Sequence, residues 1–562
     1  MLLPEILAAR AAREPDKRVY VFLNENGEET AELTYGGLHS RALAVAARLA
    51  EHCAPGDRAL LLFPQCLDFI VAYFGCLYAQ VIAVPVNPPR RTRVQDATRA
   101  IVADCEPAAV LTVGAMGALK STVDSLCGDL PWLAVDQVPD ADFEPLPVSP
   151  DSVAFLQYTS GSTSDPKGVM VSHGNLVANQ EMIRHGFGHD ENSTVVGWAP
   201  FFHDQGLIGN VLQPLYVGAT SILMAPAAFI RRPMLWLSAI SRYRAHTSGG
   251  PNFAFDACSS RAAKESTPDL DLSCWKVAFN GAEPIRPTTL RRFSRTFGPA
   301  GFREEALHPC YGLAEATLIA TGSRKGRGTR TLTADAGELG RLRYAAAAQG
   351  RLLAGSGTVL PGGEIRIVDP ETRHPCAPGE IGEIWVAGDH VAQGYWKRPE
   401  TTAEVFRAAC AGVPGRTYLR TGDLGMLVDG ELYVAGRRKD LIIIRGRNHY
   451  PQDIEQTAES AHPALRPGAC AAFAVDGADA GKLVVIAEIN RDHRAEADAA
   501  EVAGSVRAAV VAEHELSLGD LVLTLPGQLA KTSSGKIMRA AARKRYLAGE
   551  FVRWPAPTQE AE

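Results

Sequence analysis

Short apolar runs alternate with helically spaced segments along the first part of the chain. The run from Ala59 to Phe63 predicts a strand, and the run from Val81 to Val86 predicts another. Between them, apolar residues from Cys66 to Leu77 recur at i, i+3 and i+4, which predicts a helix with one buried face. Strands that alternate with helices are typical of an α/β fold with doubly wound, mostly parallel sheets. Ligands of such sheets bind beyond the carboxyl ends of the strands.

The pattern changes in the second part of the chain. Residues 363–369 and 379–386 alternate between apolar and polar, which predicts strands that end at Gly394-Tyr-Trp-Lys397. We expect this region to contribute shape and no chemistry. Beyond it, mixed short elements predict a small α+β domain: a strand at 441–444, a helix opened by Pro451, strands at 471–475 and 483–488, and an Ala-rich helix at 497–514.

Composition narrows the class of protein. The 562 residues are 46% hydrophobic and 21% charged, which is ordinary for a globular chain with more than one core. The net charge of −6, without a basic domain, argues against a nucleic-acid partner. We expect no signal peptide, because the first five residues hold a charge and a proline, and no transmembrane segment. The eleven scattered cysteines contain no Cys-x-x-Cys pair and favour a reduced, cytoplasmic compartment.

A loop rich in hydroxyl groups and glycine is the first candidate for chemistry. It reads Tyr158-Thr-Ser-Gly-Ser-Thr-Ser-Asp-Pro-Lys-Gly168 and lies between the apolar runs 153–156 and 169–171. Glycines let backbone N–H groups turn inward, while the hydroxyls and Lys167 add donors and positive charge, so the loop could hold phosphate. It lacks the Gly-Lys-Ser/Thr ending of a Walker A loop. The alternative is a polar surface loop.

Three further stretches carry candidate residues. In Phe202-His-Asp-Gln-Gly-Leu-Ile-Gly209, His203 could line a site or be a core histidine, and Asp204 could cap the following helix. In Tyr311-Gly-Leu-Ala-Glu-Ala-Thr317, the tyrosine could stack on adenine and Glu315 could bind Mg²⁺, or Glu315 could face solvent on a helix. Asp423, which we expect in a tight turn, could accept hydrogen bonds from both ribose hydroxyls.

These motifs resemble, in order, those of the adenylate-forming enzymes: acyl-CoA synthetases, luciferase-like enzymes, peptide-synthetase adenylation domains and fatty acyl-AMP ligases. Gly436-Arg-Arg-Lys-Asp440 and Lys531-Thr-Ser-Ser-Gly-Lys-Ile-Met-Arg539 complete the set, so the resemblance covers essentially the whole chain. It implies a large N-terminal domain, residues 1–438, with parallel sheets and a small β subdomain. It also implies a mobile α+β cap, residues 439–562.

The resemblance implies a role for each matching residue. The catalytic residues would be Lys536, His203 and Glu315, and Mg²⁺ would be held by Thr163 and Glu315. Lys439 would be the hinge of the cap. The acyl pocket would include Gly249, Gly250, Pro251 and Asn252. ATP or AMP would be bound by Thr159, Ser160, Gly161, Ser162, Thr163, Lys167, Asn280, Gly281, Ala282, Glu283, Tyr311, Gly312, Asp423 and Arg437.

Within this superfamily, stretches 83–91, 202–209 and 446–451 look most like fatty acyl-AMP ligases. The resemblance then implies that ATP and Mg²⁺ activate a fatty acid to acyl-AMP. The acyl group would pass to the phosphopantetheine thiol of a holo acyl carrier protein. One alternative is a fatty acyl-CoA synthetase. A second alternative is a non-catalytic scaffold that binds an adenylate. The presence of the four matching residues argues against it: Lys536, Glu315, Asp423 and Arg437.

Residues 322–357 are rich in Gly, Arg and Ala and have little periodicity. They resemble the insertion that marks fatty acyl-AMP ligases and hampers the domain motion needed for CoA. The alternative is an ordinary surface loop. Two residues depart from the family pattern. Ser164 stands where many relatives have glycine, and Gln205 stands where fatty acyl-AMP ligases have methionine.

Overall fold

A computed structural model describes residues 1–88, 96–159, 166–265, 268–444, 446–475, 481–532 and 535–555. The strands of the first half are β1 (Arg18–Leu23), β2 (Glu29–Thr34), β3 (Arg58–Leu61), β4 (Ile82–Pro85), β5 (Ala109–Thr112), β6 (Trp132–Ala134), β7 (Val153–Thr159), β8 (Lys167–Ser172), β9 (Val195–Gly197), β10 (Ser221–Met224), β11 (Thr247–Gly249) and β12 (Val277–Asn280). The strands of the second half are β13 (Leu307–Tyr311), β14 (Thr321–Gly322), β15 (Thr331–Ala334), β16 (Arg351–Val359), β17 (Gly363–Val368), β18 (Gly382–Gly388), β19 (Ala408–Ala409), β20 (Thr417–Val428), β21 (Glu431–Arg437), β22 (Ile442–Ile444), β23 (Arg447–His449), β24 (Leu465–Val475), β25 (Lys482–Ile489) and β26 (Asp520–Thr524).

The α-helices cover the faces of the sheets. They are α1 (Leu3–Arg13), α2 (Tyr35–Ala50), α3 (Asp68–Tyr78), α4 (Asp96–Cys105), α5 (Lys120–Cys127), α6 (His173–Phe187), α7 (Gln213–Val217), α8 (Pro226–Arg231), α9 (Met234–Arg242), α10 (Asn252–Ala262), α11 (Pro287–Phe297), α12 (Ala336–Gly340), α13 (Pro399–Phe406), α14 (Pro451–Ser460), α15 (Ala499–His514) and α16 (Arg539–Leu547). Within the described ranges, every helix is too short or too polar to cross a membrane.

The predicted β-α-β unit is confirmed. β3 and β4 are parallel neighbours with Leu60 opposite Val84, and α3 connects them and is buried along nearly its whole length. Their sheet has the strand order β6-β5-β3-β4-β7-β8 and is parallel except for the last pair. There β7 and β8 run antiparallel, so the candidate phosphate loop joins two adjacent strands.

The second sheet combines the other parallel region with the predicted β subdomain. β13-β12-β11-β9-β10-β1 are parallel, with β2 antiparallel at one edge. At the other edge β13 pairs antiparallel with β14, where Tyr311 lies opposite Thr321. The antiparallel strands β16, β21, β20, β18 and β17 follow. The expected α/β class with a small β region is therefore correct, and the β region is continuous with the parallel sheet.

Residues 322–357 contain regular structure and contact the C-terminal region. β15 and α12 lie inside this segment, and β15 pairs with the beginning of β16. Asn448 Nδ2 donates to the carbonyl oxygen of Gly340 at 3.1 Å, and Tyr450 Oη donates to that of Leu339 at 3.3 Å. On β16, Arg351 Nε lies 2.9 Å from Asp453 Oδ2 of α14. The segment is thus a packed part of the fold, and it contacts the first elements of the C-terminal region.

The C-terminal region forms a separate three-stranded sheet, β24-β25-β26. β24 and β25 are antiparallel, β25 and β26 are parallel, and α14 and α15 pack on one face. The expected strands and helices are present, including the helix that begins at Pro451. This region has its own core, in which Ile454, Val485 and Val506 are fully buried.

A cluster of three histidines, of which His189 and His308 are buried, lies where α6, β11 and β13 meet. His189 Nε2 and His246 Nδ1 both lie within hydrogen-bond distance of Thr247 Oγ1, at 2.7 and 2.8 Å. His308, on β13, is 1% exposed, and its Nε2 atom has no hydrogen-bond partner among the described residues. Burial, with a smaller effect of the Lys325 charge, lowers the pKa of His308 to about 3. His308 is therefore neutral in the folded protein at every physiological pH.

We expect the substitution His308→Leu to reduce the acid sensitivity of the fold. The unfolded chain binds a proton at His308 below about pH 6.5 and the folded chain does not, so stability is lost as the pH falls below that value. At pH 5 the loss is about 2 kcal/mol for this residue. The difference between the thermal midpoints at pH 7 and pH 5 should therefore be smaller in His308→Leu than in the wild type.

The matched control is His374→Leu, at an exposed position. It should keep the wild-type difference between the two midpoints. An unchanged difference in His308→Leu would contradict the assignment of a buried neutral histidine.

Candidate functional site

Asp423, Arg437 and Tyr311 meet at the junction of the parallel and antiparallel strands. Tyr311 Oη donates to Asp423 Oδ2 at 2.8 Å, and Arg437 Nε donates to Oδ1 at 3.2 Å. Asp423 lies opposite Arg437 in the β20–β21 ladder. The expectation of a tight turn at Asp423 is wrong. The residue lies within β20, beside Gly422 at φ +71° and an irregularity in the ladder. Since a regular ladder would alternate the side chains, this irregularity helps to set the direction of the carboxylate.

The segment after β13 positions Glu315. A Cβ atom on Gly312 would lie 1.8 Å from the carbonyl oxygen of Leu318, so the chain can turn here only with glycine. Glu315 follows in a single 3₁₀ turn, Ala314–Ala316, and its Oε1 accepts a hydrogen bond from Tyr395 Oη at 2.8 Å. Its carboxylate therefore contacts a buried side chain of the β subdomain and does not face solvent on a regular helix.

Lys536 of the C-terminal region faces the same site. Burial and the positive charge of Arg437 lower the pKa of Lys536, while the carboxylates of Asp204, Glu283 and Asp423 act in the opposite direction. Lys536, from the C-terminal region, therefore interacts electrostatically with charged residues of the N-terminal part.

The two other cations of the Lys531–Arg539 motif have partners within the C-terminal region. Lys531 Nζ donates to the carbonyl oxygen of Gly468 at 2.6 Å. Arg539 Nε donates to Glu455 Oε1 at 2.7 Å. Both side chains are therefore held by the C-terminal region itself.

His203 stays neutral near pH 7 and feels the charge of Lys536. Its Nε2 atom is buried without a hydrogen-bond partner in the described structure. Burial, and then the charge of Lys536, lower its pKa to about 4. Asp204 caps the following π-helical segment, Gln205–Leu212, by accepting from the backbone N–H of Gln205 at 2.7 Å. Capping and site lining are therefore both possible for this motif, as expected.

Gln205, which departs from the family pattern, packs its side-chain amide against residues of its own π-helical segment. Nε2 donates to Asn210 Oδ1 at 3.4 Å. A Cβ atom on Gly209 would lie 2.4 Å from Gln205 Nε2, so the amide packs closely against this glycine.

The predicted nucleotide-binding segment 280–283 and the predicted acyl-pocket segment 249–252 form one hydrogen-bonded unit. Asn280 Nδ2, at the end of β12, donates to the carbonyl oxygen of Gly250 at 3.0 Å. Glu283 Oε1 accepts from the backbone N–H of Asn252, the first residue of α10, at 2.7 Å. Burial raises the pKa of this carboxyl. Glu283 therefore connects the two segments, and does not cap the helix that follows it.

Close packing fixes the backbone of both segments. A Cβ atom would lie 2.1 Å from the carbonyl oxygen of Phe279 at Gly249, and 2.6 Å from the Trp198 ring at Gly250. At Gly281 it would lie 2.9 Å from the carbonyl oxygen of Cys310. Ala282 has φ +70°, and Pro251 immediately precedes α10. Small residues are required here because the strand ends approach each other.

The structure describes both ends of the candidate phosphate loop. Ser160, Gly161, Ser162 and Thr163 lie outside the described residues. Thr159 and Lys167 are opposite each other at the ends of β7 and β8. Tyr158 Oη donates to Asp104 Oδ2 at 2.6 Å, which anchors the loop to α4. Lys167 Nζ lies 4.9 Å from the centroid of the Tyr395 ring.

The expected hinge residue lies between the two regions. Lys439 is exposed in a 3₁₀ turn, Arg438–Asp440, directly after β21 and shortly before the strand β22 begins. Arg437 ends β21, so the candidate ribose site and the turn are consecutive in the chain.

Tyr395 is the functional candidate that the sequence analysis missed. It belongs to the stretch that we expect to contribute shape and no chemistry, yet it contacts both Glu315 and Lys167. Its aromatic ring follows a glycine in Gly394-Tyr-Trp-Lys397, a pattern that suggests a buried turn and gives no indication of its distant partners.

Comparison with known proteins agrees with this arrangement. The sequence model described as AMP-binding enzyme matches residues 7–396. The chain belongs to the AMP-binding enzyme family. Residues 439–553 of this AMP-binding enzyme match a second model, the AMP domain of Disco-interacting protein 2-like proteins. The resemblance to adenylate-forming enzymes is thus confirmed.

Relatives of this AMP-binding enzyme match over nearly its full length. The medium-chain-fatty-acid–[acyl-carrier-protein] ligase JamA of Moorena producens is 42% identical, over 99% of this chain and 96% of its own. The long-chain-fatty-acid–AMP ligase FadD32 of Mycolicibacterium smegmatis is 38% identical, over 95% and 92%. The fatty acyl-adenylate ligase of L. pneumophila, solved with acyl adenylate and pyrophosphate, is 40% identical with a TM-score of 0.77, over 97% and 96%.

We expect Asp423→Asn to weaken ATP binding by about 10- to 100-fold, because an amide cannot replace a carboxylate that accepts from Tyr311, from Arg437 and from a ribose. Equilibrium titration with ATP in the absence of fatty acid measures the effect. The control is Asp256→Asn, a partly exposed position of α10 where the carboxylate pairs with Arg292. Wild-type ATP affinity in Asp423→Asn would remove this residue from the nucleotide site.

Proposed function

We propose that this AMP-binding enzyme activates a fatty acid with ATP, forming acyl-AMP and pyrophosphate, and then transfers the acyl group to the phosphopantetheine thiol of a holo acyl carrier protein. The observation that carries the proposal is the position of Lys536. Its ammonium interacts electrostatically with Asp204, Glu283, Asp423 and Arg437, residues of the part of the molecule where a nucleotide and an acid would meet. The relatives JamA and TtuA, both named medium-chain-fatty-acid–[acyl-carrier-protein] ligases, support the choice of substrates.

In the first step, two anions must approach each other. An oxygen of the fatty-acid carboxylate attacks the α-phosphorus of ATP. The bond from that phosphorus to the oxygen bridging the α- and β-phosphates breaks, and its electron pair leaves on pyrophosphate. The Lys536 ammonium lowers the repulsion and stabilises the charge that develops, which is the main contribution of an enzyme to such a transfer. No nucleophile of the protein is required, because the substrate supplies one.

Three residues hold the reactants in place. Asp423 would accept from the ribose hydroxyls, and the stacked ring of Tyr311 would support the adenine. His203 is neutral near pH 7, since its pKa is about 4, so it can offer a hydrogen bond to the acyl carboxylate without adding a second cation next to Lys536. The unpartnered Nε2 atom supports this role.

The residues of the site are suitable for Mg²⁺. This ion prefers oxygen and commonly uses one or two carboxylates together with substrate phosphates and water. Glu315 supplies a fixed carboxylate, and Thr163 would add a hydroxyl from the phosphate loop. When bound, Mg²⁺ would neutralise phosphate charge. Lys167 would add a further positive charge at the base of the loop.

In the second step, the carrier thiol attacks the acyl carbonyl, a thioester bond forms, and the bond to AMP breaks. The thiol proton is released, and AMP leaves with the electron pair of the broken bond. Acyl-AMP hydrolyses in water, so the C-terminal region must cover it until the thiol arrives. We assign the domain motion that admits the thiol to the exposed turn at Lys439.

A fatty acyl-CoA synthetase is the second candidate. A relative named putative fatty-acid–CoA ligase fadD25, from Mycobacterium tuberculosis, is 38% identical over 99% of both chains. The first step would be the same, and only the accepting thiol would differ.

The purified protein should form dodecanoyl-AMP from ATP, Mg²⁺ and dodecanoate, as detected by mass spectrometry. We expect this product to persist when CoA is added and to be consumed when a holo acyl carrier protein is added. The apo carrier protein, which lacks the thiol, is the control. Rapid formation of acyl-CoA would instead establish the synthetase, and absence of acyl-AMP with every chain length would contradict the adenylation of fatty acids.

We expect Lys536→Ala to lower the rate of acyl-AMP formation by about 100-fold or more, because it removes a preorganised positive charge from the transition state. ATP binding should be largely retained. Lys544→Ala, at an exposed position of α16, is the control and should keep the wild-type rate. A near-normal rate in Lys536→Ala would exclude Lys536 from the reaction.

A further inference from the structure

Tyr395 connects two site residues that come from different parts of the large domain. Its hydroxyl donates to Glu315 Oε1 at 2.8 Å, and the face of its ring lies 4.9 Å from Lys167 Nζ. The side chain is buried, with 7% of the residue exposed. One tyrosine thus contacts the candidate metal-binding carboxylate and the lysine at the end of the candidate phosphate loop.

The backbone around Tyr395 is held firmly. Met170 N–H donates to the carbonyl oxygen of Gly394 at 2.9 Å, and Trp396 N–H donates to that of Gly168 at 2.7 Å, so this segment extends the edge of β8. The Tyr395 N–H donates to Thr402 Oγ1 at 2.9 Å. The ring packs edge-on against Phe406 of α13, with 5.0 Å between centroids. Since β8 begins at Lys167, the same pairing fixes Tyr395 relative to the end of the phosphate loop.

Glu315 is held through its backbone as well as its side chain. Its carbonyl oxygen accepts from the N–H of Ala392, three residues before Tyr395, at 3.0 Å. The hydrogen bond from Tyr395 engages Oε1, so within the described part of the chain Oε2 is the carboxylate oxygen left for a ligand.

We propose that Tyr395 is a positioning residue for the metal–triphosphate end of the site, which fixes one oxygen of Glu315 and leaves the other directed to the metal. This inference rests on the proposed function. A hydrogen bond to a carboxylate restricts its rotation, and a cation over an aromatic face is attracted to it. Through these two contacts, one side chain sets the separation between Glu315 and Lys167, which is the width available to the phosphates and their cation.

The test is Tyr395→Phe, which keeps the ring under Lys167 and removes only the hydroxyl. Binding is measured with Mn²⁺ as the probe, by electron paramagnetic resonance, in the presence of saturating α,β-methylene-ATP, an analogue that cannot donate its adenylyl group because a methylene replaces the oxygen between the α- and β-phosphates. We expect the Mn²⁺ affinity of Tyr395→Phe to fall by about tenfold, because Glu315 loses a charge-assisted hydrogen bond. Affinity for the analogue in the absence of metal should be unchanged.

The matched control is Tyr418→Phe. Tyr418 Oη also donates to a carboxylate, Glu364 Oε1, at 2.8 Å, and it is fully buried in a different cluster of the β subdomain, with Val368 and Trp385. This variant should keep the wild-type Mn²⁺ affinity. Wild-type affinity in Tyr395→Phe, or an equal loss in both variants, would overturn the positioning role.

Turnover gives an independent measurement. In Tyr395→Phe, half-maximal acyl-AMP formation should require about tenfold more Mg²⁺ than in the wild type, and saturating Mg²⁺ should restore most of the rate. A rate deficit that Mg²⁺ does not relieve would overturn the inference. Failure of the wild type to form acyl-AMP would instead overturn the proposed function, while the Mn²⁺ titration would still decide the role of Tyr395.

Discussion

The contact of the buried Asp423 with the buried Tyr311 and the half-exposed Arg437 joins three parts of the molecule, and the candidate site depends on it. Tyr311 ends the parallel strands, Asp423 and Arg437 belong to the antiparallel strands, and the turn to the C-terminal region follows Arg437 directly. A buried carboxylate must be paired or hydrogen-bonded to remain ionised. Its two donors, one from each part of the sheet, therefore hold the carboxylate in place, and any ribose that binds there meets a carboxylate already oriented.

The need to pair charges within the fold also explains why the positive charges of the candidate site come from separate elements. Lys167 comes from the end of β8, Arg437 from β21, and Lys536 from the C-terminal region. Three cations on one element would repel each other in the absence of ligand. Their carboxylate partners are also distributed, since Asp423 pairs with Arg437, while Asp204 and Glu283 face Lys536. This arrangement keeps a site for polyanions stable before they bind.

Local elements could be predicted from the sequence, and long-range contacts could not. The strand–helix–strand unit around α3 was recognisable because its apolar spacing is complete within about thirty residues. β15 could not be recognised in the same way, because its four residues form too short a pattern. Its partner residues also lie about twenty positions later in the chain. Most candidate site residues came from motifs of known relatives. Tyr395 has no such motif, and its hydroxyl reaches a carboxylate eighty positions earlier in the chain.

Residues 322–357 show how the difficulty of predicting long-range contacts from sequence affects the interpretation of function. Their composition suggested either a family insertion or a surface loop, and composition alone could not separate the two. In the fold, Leu339 and Gly340 offer backbone carbonyl groups to Tyr450 and Asn448, while Arg351 pairs with Asp453. Burial raises the pKa of Asp453 to about 6, because the opposing charge of Arg351 offsets only part of its loss of hydration. An ion pair whose attraction offsets only part of the lost hydration contributes little net stability. Separating the pair, however, leaves a buried charge without a partner. The position of the C-terminal region, and with it that of Lys536, relative to the site residues of the N-terminal part is therefore determined partly by a segment that contains none of the candidate catalytic residues.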